Sequence, residues 1–146
     1  MKTRKQLTKN DMFYISALHM AWQCYMIGAG QKVDTTLEEH IDTLADGLDN
    51  LRYFYSIASE IVGPEATYEE IADSFLDNAP RLMHESWMAY KMSEGWVYGA
   101  KKDKKAREHP NLVEYDLLSR MEKTKDIVIC MAFLEASRVA REYLYE

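Results

Sequence analysis

The segment LEEHIDTLADGLDNLRYFYSIASEIV, residues 37–62, decides the fold class of this sequence. Its apolar residues recur at alternating spacings of four and three, the repeat of an amphipathic helix with a heptad stripe. The residues of this stripe are Leu37, Ile41, Leu44, Leu48, Leu51, Tyr55, Ala58 and Val62. Gly63 and Pro64 follow directly and predict the end of the helix. The segment therefore predicts one long α-helix.

A capping box predicts where this helix begins. A Thr followed three residues later by a Glu lets the two side chains satisfy free backbone amides of the first turn. Either Thr35 with Glu38 or Thr36 with Glu39 fits this pattern.

The remaining apolar periodicity predicts three further helical regions. The first begins near Asn10 or Asp11 and ends at GAG, residues 28–30. The second opens with a capping box at Thr67, and Pro80 either interrupts it or begins a new helix that stops at Gly95. The last runs from about 119 to 142. Its segment IVICMAFL, residues 127–134, is apolar all round, which predicts a central position. We identify no internal repeat.

The heptad stripe allows two interpretations. In one, the long helix packs within a single bundle. In the other, it forms the seam of a homodimer, with Leu44, Leu48 and Leu51 as the candidate contacts.

The composition agrees with a helical domain. The chain has 146 residues, a length that suits one domain with a modest core. Three prolines and six glycines are too few for an all-β protein with many tight turns. We therefore expect a mainly α protein, a small helical bundle that forms one compact unit.

The charge distribution is uneven. The formal net charge of −6 argues against a general nucleic-acid binder. Residues 101–108, KKDKKARE, are a local exception, with five basic and two acidic side chains. This run is interpreted either as a solvated face or as a source of charge for a phosphate.

The cysteines and the apolar runs indicate the compartment. Cys24 and Cys130 lie in apolar helical patterns, where a free cysteine packs as a small hydrophobe. No spacing typical of a zinc site occurs, so neither a metal nor a cofactor is expected. No apolar run of about 18 residues and no signal-type segment occurs. We expect a cytoplasmic protein with no membrane partner.

Residues 94–110, EGWVYGAKKDKKAREHP, form the least regular segment. Trp96 and Tyr98 lie between glycines, and the basic run then leads to His109. A base stacked on an exposed aromatic face gains about 1–3 kcal/mol. Lysine ammonium groups and a histidine N–H suit a phosphate. This composition is typical of a nucleotide pocket.

The longer segment HESWMAYKMSEGWVYGAKKDKKAREHPNLVEYDLL, residues 84–118, resembles the ryanodine-receptor repeat, the RyR domain. That family's pattern runs His-x-x-Trp, Lys, Gly-Trp-x-Tyr-Gly, Asp and His-Pro-x-Leu-Val, with a following aromatic. Matching positions occur in order at His84, Trp87, Lys91, Gly95, Trp96, Tyr98, Gly99, Asp103, His109, Pro110, Leu112, Val113 and Tyr115. The resemblance extends over about residues 68–134, and residues 1–66 lie outside it.

The resemblance implies a stand-alone, single-copy member of the type found in bacteria and their phages. It divides the chain into an N-terminal helical region, residues 1–66, and an RyR-repeat-like region, residues 67–146. It implies antiparallel helices with a short β-hairpin-like or irregular excursion, and a sensor of nucleotide-derived ligands. Two positions depart from the family pattern: Leu82 replaces a common Asn, and Pro80 is expected to break a helix that is usually continuous.

The candidate ligand contacts combine aromatic, cationic and polar side chains. They are Trp87, Tyr90, Lys91, Trp96, Tyr98, Asp103 and His109. A second interpretation stays open, in which Trp87, Trp96 and Tyr98 pack in the core, Asp103 caps a turn and His109 only shapes the loop.

The expected function is non-catalytic recognition of a small nucleotide-like ligand by aromatic stacking and basic residues. The sequence has no GxSxG, no recognisable Cys–His pair and no phosphate-cradling glycine loop, so we do not expect an enzyme. Two alternatives stay open. One is a structural or protein-interaction module that dimerises through residues 37–62, and the other is a binder of single-stranded nucleic acid.

Overall fold

The computed structural model describes residues 3–143, which contain four α-helices. They are α1 (Lys9–Gly28), α2 (Leu37–Val62), α3 (Tyr68–Ser93) and α4 (Arg120–Tyr143). Two short strands, β1 (Val97–Tyr98) and β2 (Glu108–His109), lie between α3 and α4. Each of α1 and α3 packs against both α2 and α4. The prediction of a mainly α bundle is confirmed.

Threonine caps set the starts of three helices. Thr36 accepts a hydrogen bond from Glu39 N at 3.2 Å, so the second of the two predicted registers opens α2. The predicted cap at Thr67 is present at the start of α3. Helix α1 begins slightly earlier than predicted, because Thr8 and Asp11 form a reciprocal pair of cap hydrogen bonds at 3.0 Å.

The heptad stripe of α2 lies in the core of the bundle. Leu44, Leu48 and Leu51 are 7%, 1% and 0% exposed, and they belong to one apolar cluster with residues of α1, α3 and α4. A side chain buried within its own chain is not free to contact a second copy. The structure therefore supports the bundle interpretation of the stripe, and these three leucines are not available as a dimer seam.

Helix α3 is continuous through Pro80, which corrects the prediction of a break. Proline cannot donate a helical hydrogen bond, and its ring crowds the carbonyl four residues earlier, so a local preference predicts an interruption. Phe75, Ala79, Pro80 and His84 are all buried on the face that α3 turns toward the bundle. Packing on both sides of the proline overrides the local preference.

Helix α4 has one buried face and one exposed face. Cys130, Phe133 and Leu134 are buried, whereas Ile127 and Met131 are 37% and 53% exposed. The apolar run therefore did not predict a central helix correctly. A helix that is apolar on every side can be buried on every side. How much of its surface is buried depends on the number of helices that pack against it.

The two strands are parallel, so the predicted β-hairpin-like or irregular excursion is present but is not a β-hairpin. Val97 pairs with Glu108, and Tyr98 pairs with His109. A hairpin reverses the chain once and gives antiparallel strands. Here the chain reverses a second time, because Asp103 and Glu108 exchange backbone hydrogen bonds at 2.9 and 3.0 Å. The second strand consequently runs in the direction of the first.

None of the helices between residues 3 and 143 combines the length and the apolar character that a bilayer crossing requires.

The core assignment of the heptad stripe makes a stability prediction. Leu48→Ala should lower the free energy of unfolding by about 2–5 kcal/mol, because it leaves a cavity in the bundle. Ile61→Ala is the matched control on the same helix, at a side chain 71% exposed, and should change it by less than about 0.5 kcal/mol. Urea unfolding followed by circular dichroism measures both. Equal effects of the two substitutions would contradict the core assignment.

Candidate functional site

A cleft of about 450 Å³ is lined by residues of all four helices and of the segment between α3 and α4. All three tryptophans of the chain, Trp22, Trp87 and Trp96, line this cleft. Helix α2 adds His40, and strand β2 adds His109. Residues from both halves of the sequence therefore form one site.

The end of α3 orients Trp96. Gly95 has φ +87°, a left-handed conformation that glycine adopts without steric cost. Its N–H donates to Met92 O at 3.1 Å, and Trp96 N–H donates to Lys91 O at 3.0 Å, which together form a Schellman motif. This turn brings Trp96 back over the last helical turn. Lys91 Nζ lies 4.9 Å from the centre of the Trp96 ring, within the range of a cation–π contact.

The close approach of β1 and β2 positions the His109 ring next to the tryptophans. A β carbon at Gly99 would lie 2.6 Å from Cβ of Glu108, so only glycine fits there without displacing its neighbour. The adjacent His109 ring centre is 5.0 Å from that of Trp87 and 6.3 Å from that of Trp96. The two motif glycines thus join Trp87, His109 and Trp96 into one aromatic wall.

A second aromatic wall comes from α1 and α2. The Trp22 ring centre is 4.8 Å from that of His40 and 5.7 Å from that of His19. His19 Nδ1 and His40 Nδ1 are 2.9 Å apart, so the N–H of one ring donates a hydrogen bond to the other ring. The cleft consequently has an aromatic group from each half of the chain.

The histidines that line the cleft are neutral at pH 7. Burial lowers the pKa of His109 to about 4, and nearby lysines act in the same direction. Burial also lowers the pKa of His40 to about 4. Nδ1 of His109 accepts a hydrogen bond from Asn111 N at 3.1 Å, which leaves the proton of the neutral ring on Nε2. His109 therefore supplies an N–H donor and no charge.

Lys91 contributes a cation to the aromatic wall. Its side chain is half-buried, and burial lowers its pKa. Within residues 3–143 it forms no salt bridge with a carboxylate. Its ammonium group is thus available to an anion in the cleft.

The basic run of residues 101–105 docks on the start of α2. Lys102 Nζ is 3.2 Å from Asp34 Oδ1, and Lys104 Nζ is 3.5 Å from Glu39 Oε2. Lys102 also lines the cleft, whereas Lys105 does not. The lysines of this run therefore occupy different environments and are not equivalent.

Five of the candidate contacts lie together in the cleft: Trp87, Tyr90, Lys91, Trp96 and His109. The other two, Tyr98 and Asp103, are not among the lining residues. Tyr98 is 60% exposed on strand β1. Asp103 Oδ1 accepts hydrogen bonds from Lys105 N and Ala106 N at 3.0 and 3.1 Å, so Asp103 shapes the turn.

Sequence reasoning missed Trp22, His40 and Asp126 as cleft residues. Trp22 fits the apolar spacing of α1, a pattern that a packed side chain also gives. A signal was present, however, because the spacing His-x-x-Trp-x-x-Tyr occurs twice, in HMAWQCY at residues 19–25 and in HESWMAY at residues 84–90. This short spacing repeat corrects the expectation of no internal repeat, and it places Trp22 on α1 as the counterpart of Trp87 on α3.

Comparison with known proteins identifies the family. The model of the RyR domain matches residues 66–138, half of the chain. The chain belongs to the RyR domain family, which confirms the resemblance seen in the sequence. The matched region contains Trp87, Trp96 and His109, whereas Trp22 and His40 lie outside it. No solved structure matches the chain.

Asp126 on α4 lines the cleft beside His84. Burial raises the pKa of Asp126 to about 7. The unfolded chain loses this proton near pH 4, whereas the folded protein holds it until about pH 7. Ionisation of Asp126 therefore lowers the free energy of unfolding as pH rises between these values.

The prediction compares wild type with Asp126→Asn. The variant should gain stability relative to wild type as pH rises from 4 to 7, and the gain should level off above pH 7 at no more than about 4 kcal/mol. Contributions of His40 and His109 are common to both proteins and cancel in the difference. Urea unfolding at a series of pH values measures it. A difference that stays constant from pH 4 to pH 8 would show that Asp126 titrates normally.

Proposed function

We propose that this protein binds a small nucleotide-like ligand in the cleft and acts as a non-catalytic sensor. The observation that carries the proposal is the convergence of Trp22, Trp87 and Trp96 on one cleft. Indole faces from two walls suit a flat heteroaromatic ring, because each stacked base gains about 1–3 kcal/mol. A cavity of about 450 Å³ lies within the size range of small-molecule sites.

The charges in the cleft support a phosphorylated ligand. Lys91 has no carboxylate partner within residues 3–143 and is positioned by its contact with Trp96. Lys102 also lines the cleft, with part of its charge compensated by Asp34. A phosphate next to Lys91 would replace the water that the half-buried ammonium group has lost.

The hydrogen bonds of the cleft histidines favour a binding role over a catalytic one. His84 Nε2 donates to Val113 O at 2.7 Å, and His109 Nδ1 accepts from Asn111 N. A ring held by such a bond, with its pKa lowered by burial, is poorly suited to take up a proton near pH 7. These rings are better suited to orient a ligand.

Two finer features belong to the same proposal. One is that the protein is a stand-alone, single-copy member of the bacterial or phage type, as the resemblance implies. A cytoplasmic location accords with Cys24 and Cys130, which are both free thiols in the structure.

A protein-interaction module that forms a homodimer is the second candidate function. The outward face of α2 favours it, because Tyr53, Ile57 and Ile61 are 61%, 36% and 71% exposed along one stripe. Exposed apolar side chains at such spacing are typical of contact surfaces. This stripe would replace the buried leucines as the dimer contact. Binding of single-stranded nucleic acid has less support, since Lys102 and Lys104 are paired with acidic residues of this chain.

The phosphate contact makes the proposal testable by titration calorimetry. Affinity for a nucleoside monophosphate should fall as salt rises, because exposed charge interactions are screened over about 8–10 Å at physiological ionic strength. Affinity for the matching nucleoside should change little. Lys91→Ala should weaken nucleotide binding about 5- to 30-fold, the equivalent of about 1–2 kcal/mol.

The matched control is Lys105→Ala, which removes an exposed lysine of the basic run that does not line the cleft. It should leave both affinities unchanged. Equal affinities for nucleotide and nucleoside at every salt concentration would eliminate the phosphate contact. Absence of binding by both ligands would overturn the proposed function.

A further inference from the structure

Asp126 is a partly buried carboxyl group that lines the cleft. Its side chain is 18% exposed and forms no hydrogen bond with any residue of the described chain. The neighbouring basic nitrogen, His84 Nδ1, is 3.9 Å away, beyond hydrogen-bond distance. Burial of a carboxyl group without hydrogen-bond donors is unfavourable. A ligand that donates hydrogen bonds to Asp126 would offset this cost.

The side chains next to Asp126 form hydrogen bonds or salt bridges with other groups. His84 Nε2 donates to Val113 O, so Nδ1 of the neutral ring carries no proton and cannot donate to a carboxylate. Lys125 is bound to Glu122, with 2.6 Å between Nζ and Oε2. The carboxyl group of Asp126 therefore faces the cleft without a donor from its own surroundings.

The opposite wall does not have this deficit. His19 is the counterpart of His84 in the repeated spacing, and it pairs with His40 on the next helix, with 2.9 Å between their Nδ1 atoms. His84 has Asp126 of α4 beside it, but His84 Nδ1 and Asp126 Oδ2 are 3.9 Å apart. The two histidines of the internal repeat therefore differ. His19 has a hydrogen-bond partner on the next helix, whereas the carboxyl group beside His84 stays without one.

Helix α3 gives the cleft a polarity. His84, Trp87 and Lys91 lie on one face of this helix, and seven residues of rise separate the first from the last by about 10 Å. Asp126 lies at the His84 end, Lys91 at the other, and the Trp87 ring between them. A nucleotide has the same order, with N–H donors on the base edge, a flat ring and then a phosphate.

Building on the proposed function, we propose that Asp126 selects the base: its carboxylate accepts two hydrogen bonds from the edge of a guanine, whose phosphate lies at Lys91. A carboxylate has two acceptor oxygens and no donor. Guanine presents two adjacent N–H donors on one edge. Hypoxanthine presents one donor on that edge, and adenine presents a ring nitrogen lone pair beside its amino group. The expected order of affinity is therefore guanine, hypoxanthine, adenine.

An organic cation is the rival ligand for aromatic rings beside a carboxylate. Lys91 argues against it, because this lysine lines the same cavity and forms no salt bridge with a carboxylate within residues 3–143. A ligand with a donor edge and an anionic end satisfies both Asp126 and Lys91, whereas a cation would satisfy only Asp126.

The test measures the affinities of guanosine, inosine and adenosine monophosphates by titration calorimetry at pH 8, in wild type and Asp126→Asn. Wild type should prefer the guanine nucleotide over the adenine nucleotide by about 10-fold or more. In Asp126→Asn the amide offers one acceptor and one donor, which suits adenine. This substitution should weaken the guanine nucleotide, strengthen the adenine nucleotide and abolish the preference.

The control variant is Asp73→Asn, which replaces an exposed carboxylate on α3 outside the cleft and should keep the wild-type preference. Equal affinities for the three nucleotides in wild type, or a preference for adenine, would overturn the role of Asp126 and leave the nucleotide site standing. A guanine preference that survives Asp126→Asn would also overturn it. If no nucleotide binds wild type, the proposed function and this inference both fail.

Discussion

Burial of the apolar stripe of α2 is the interaction on which the rest of the structure depends. Leu48 and Leu51 are 1% and 0% exposed because α1, α3 and α4 all contribute to the cluster around them. Helix α2 packs against α1 and α3, and α4 packs against the same two helices. This arrangement sets Trp22 and His40 across from Trp87. Without it, the RyR-matched half would present one aromatic wall and no cleft.

Local signals in the sequence predicted the features that depend on interactions between residues close in the chain. The heptad stripe predicted α2, the threonine caps predicted two helix starts, and the Gly-Trp pair marked the turn that brings Trp96 over Lys91. Three features were not predicted, because contacts distant in the sequence decide them. Pro80 is tolerated inside α3 because its flanks are buried, the strands are parallel because a second turn forms at Asp103, and α4 is half exposed because no helix covers Ile127.

The candidate site was predicted on one wall only. Trp87, Lys91, Trp96 and His109 follow from the family pattern and from the composition of their segment. Trp22 was missed because a tryptophan on a helical stripe has the same sequence pattern in a core and in a cleft. Asp126 was missed because its isolation from donors is a property of the packed bundle. The repeated His-x-x-Trp-x-x-Tyr spacing is the one local signal that relates the two walls.

The central claim is that one ligand contacts aromatic groups from both halves of the chain. The most direct measurement is a nuclear magnetic resonance titration of the ¹⁵N-labelled protein with guanosine monophosphate, followed at the indole N–H signals. The three tryptophans give three such signals. The account predicts that all three signals move and that they reach half-saturation at the same ligand concentration. Movement of the Trp87 and Trp96 signals with an unchanged Trp22 signal, or no movement at all, would contradict it.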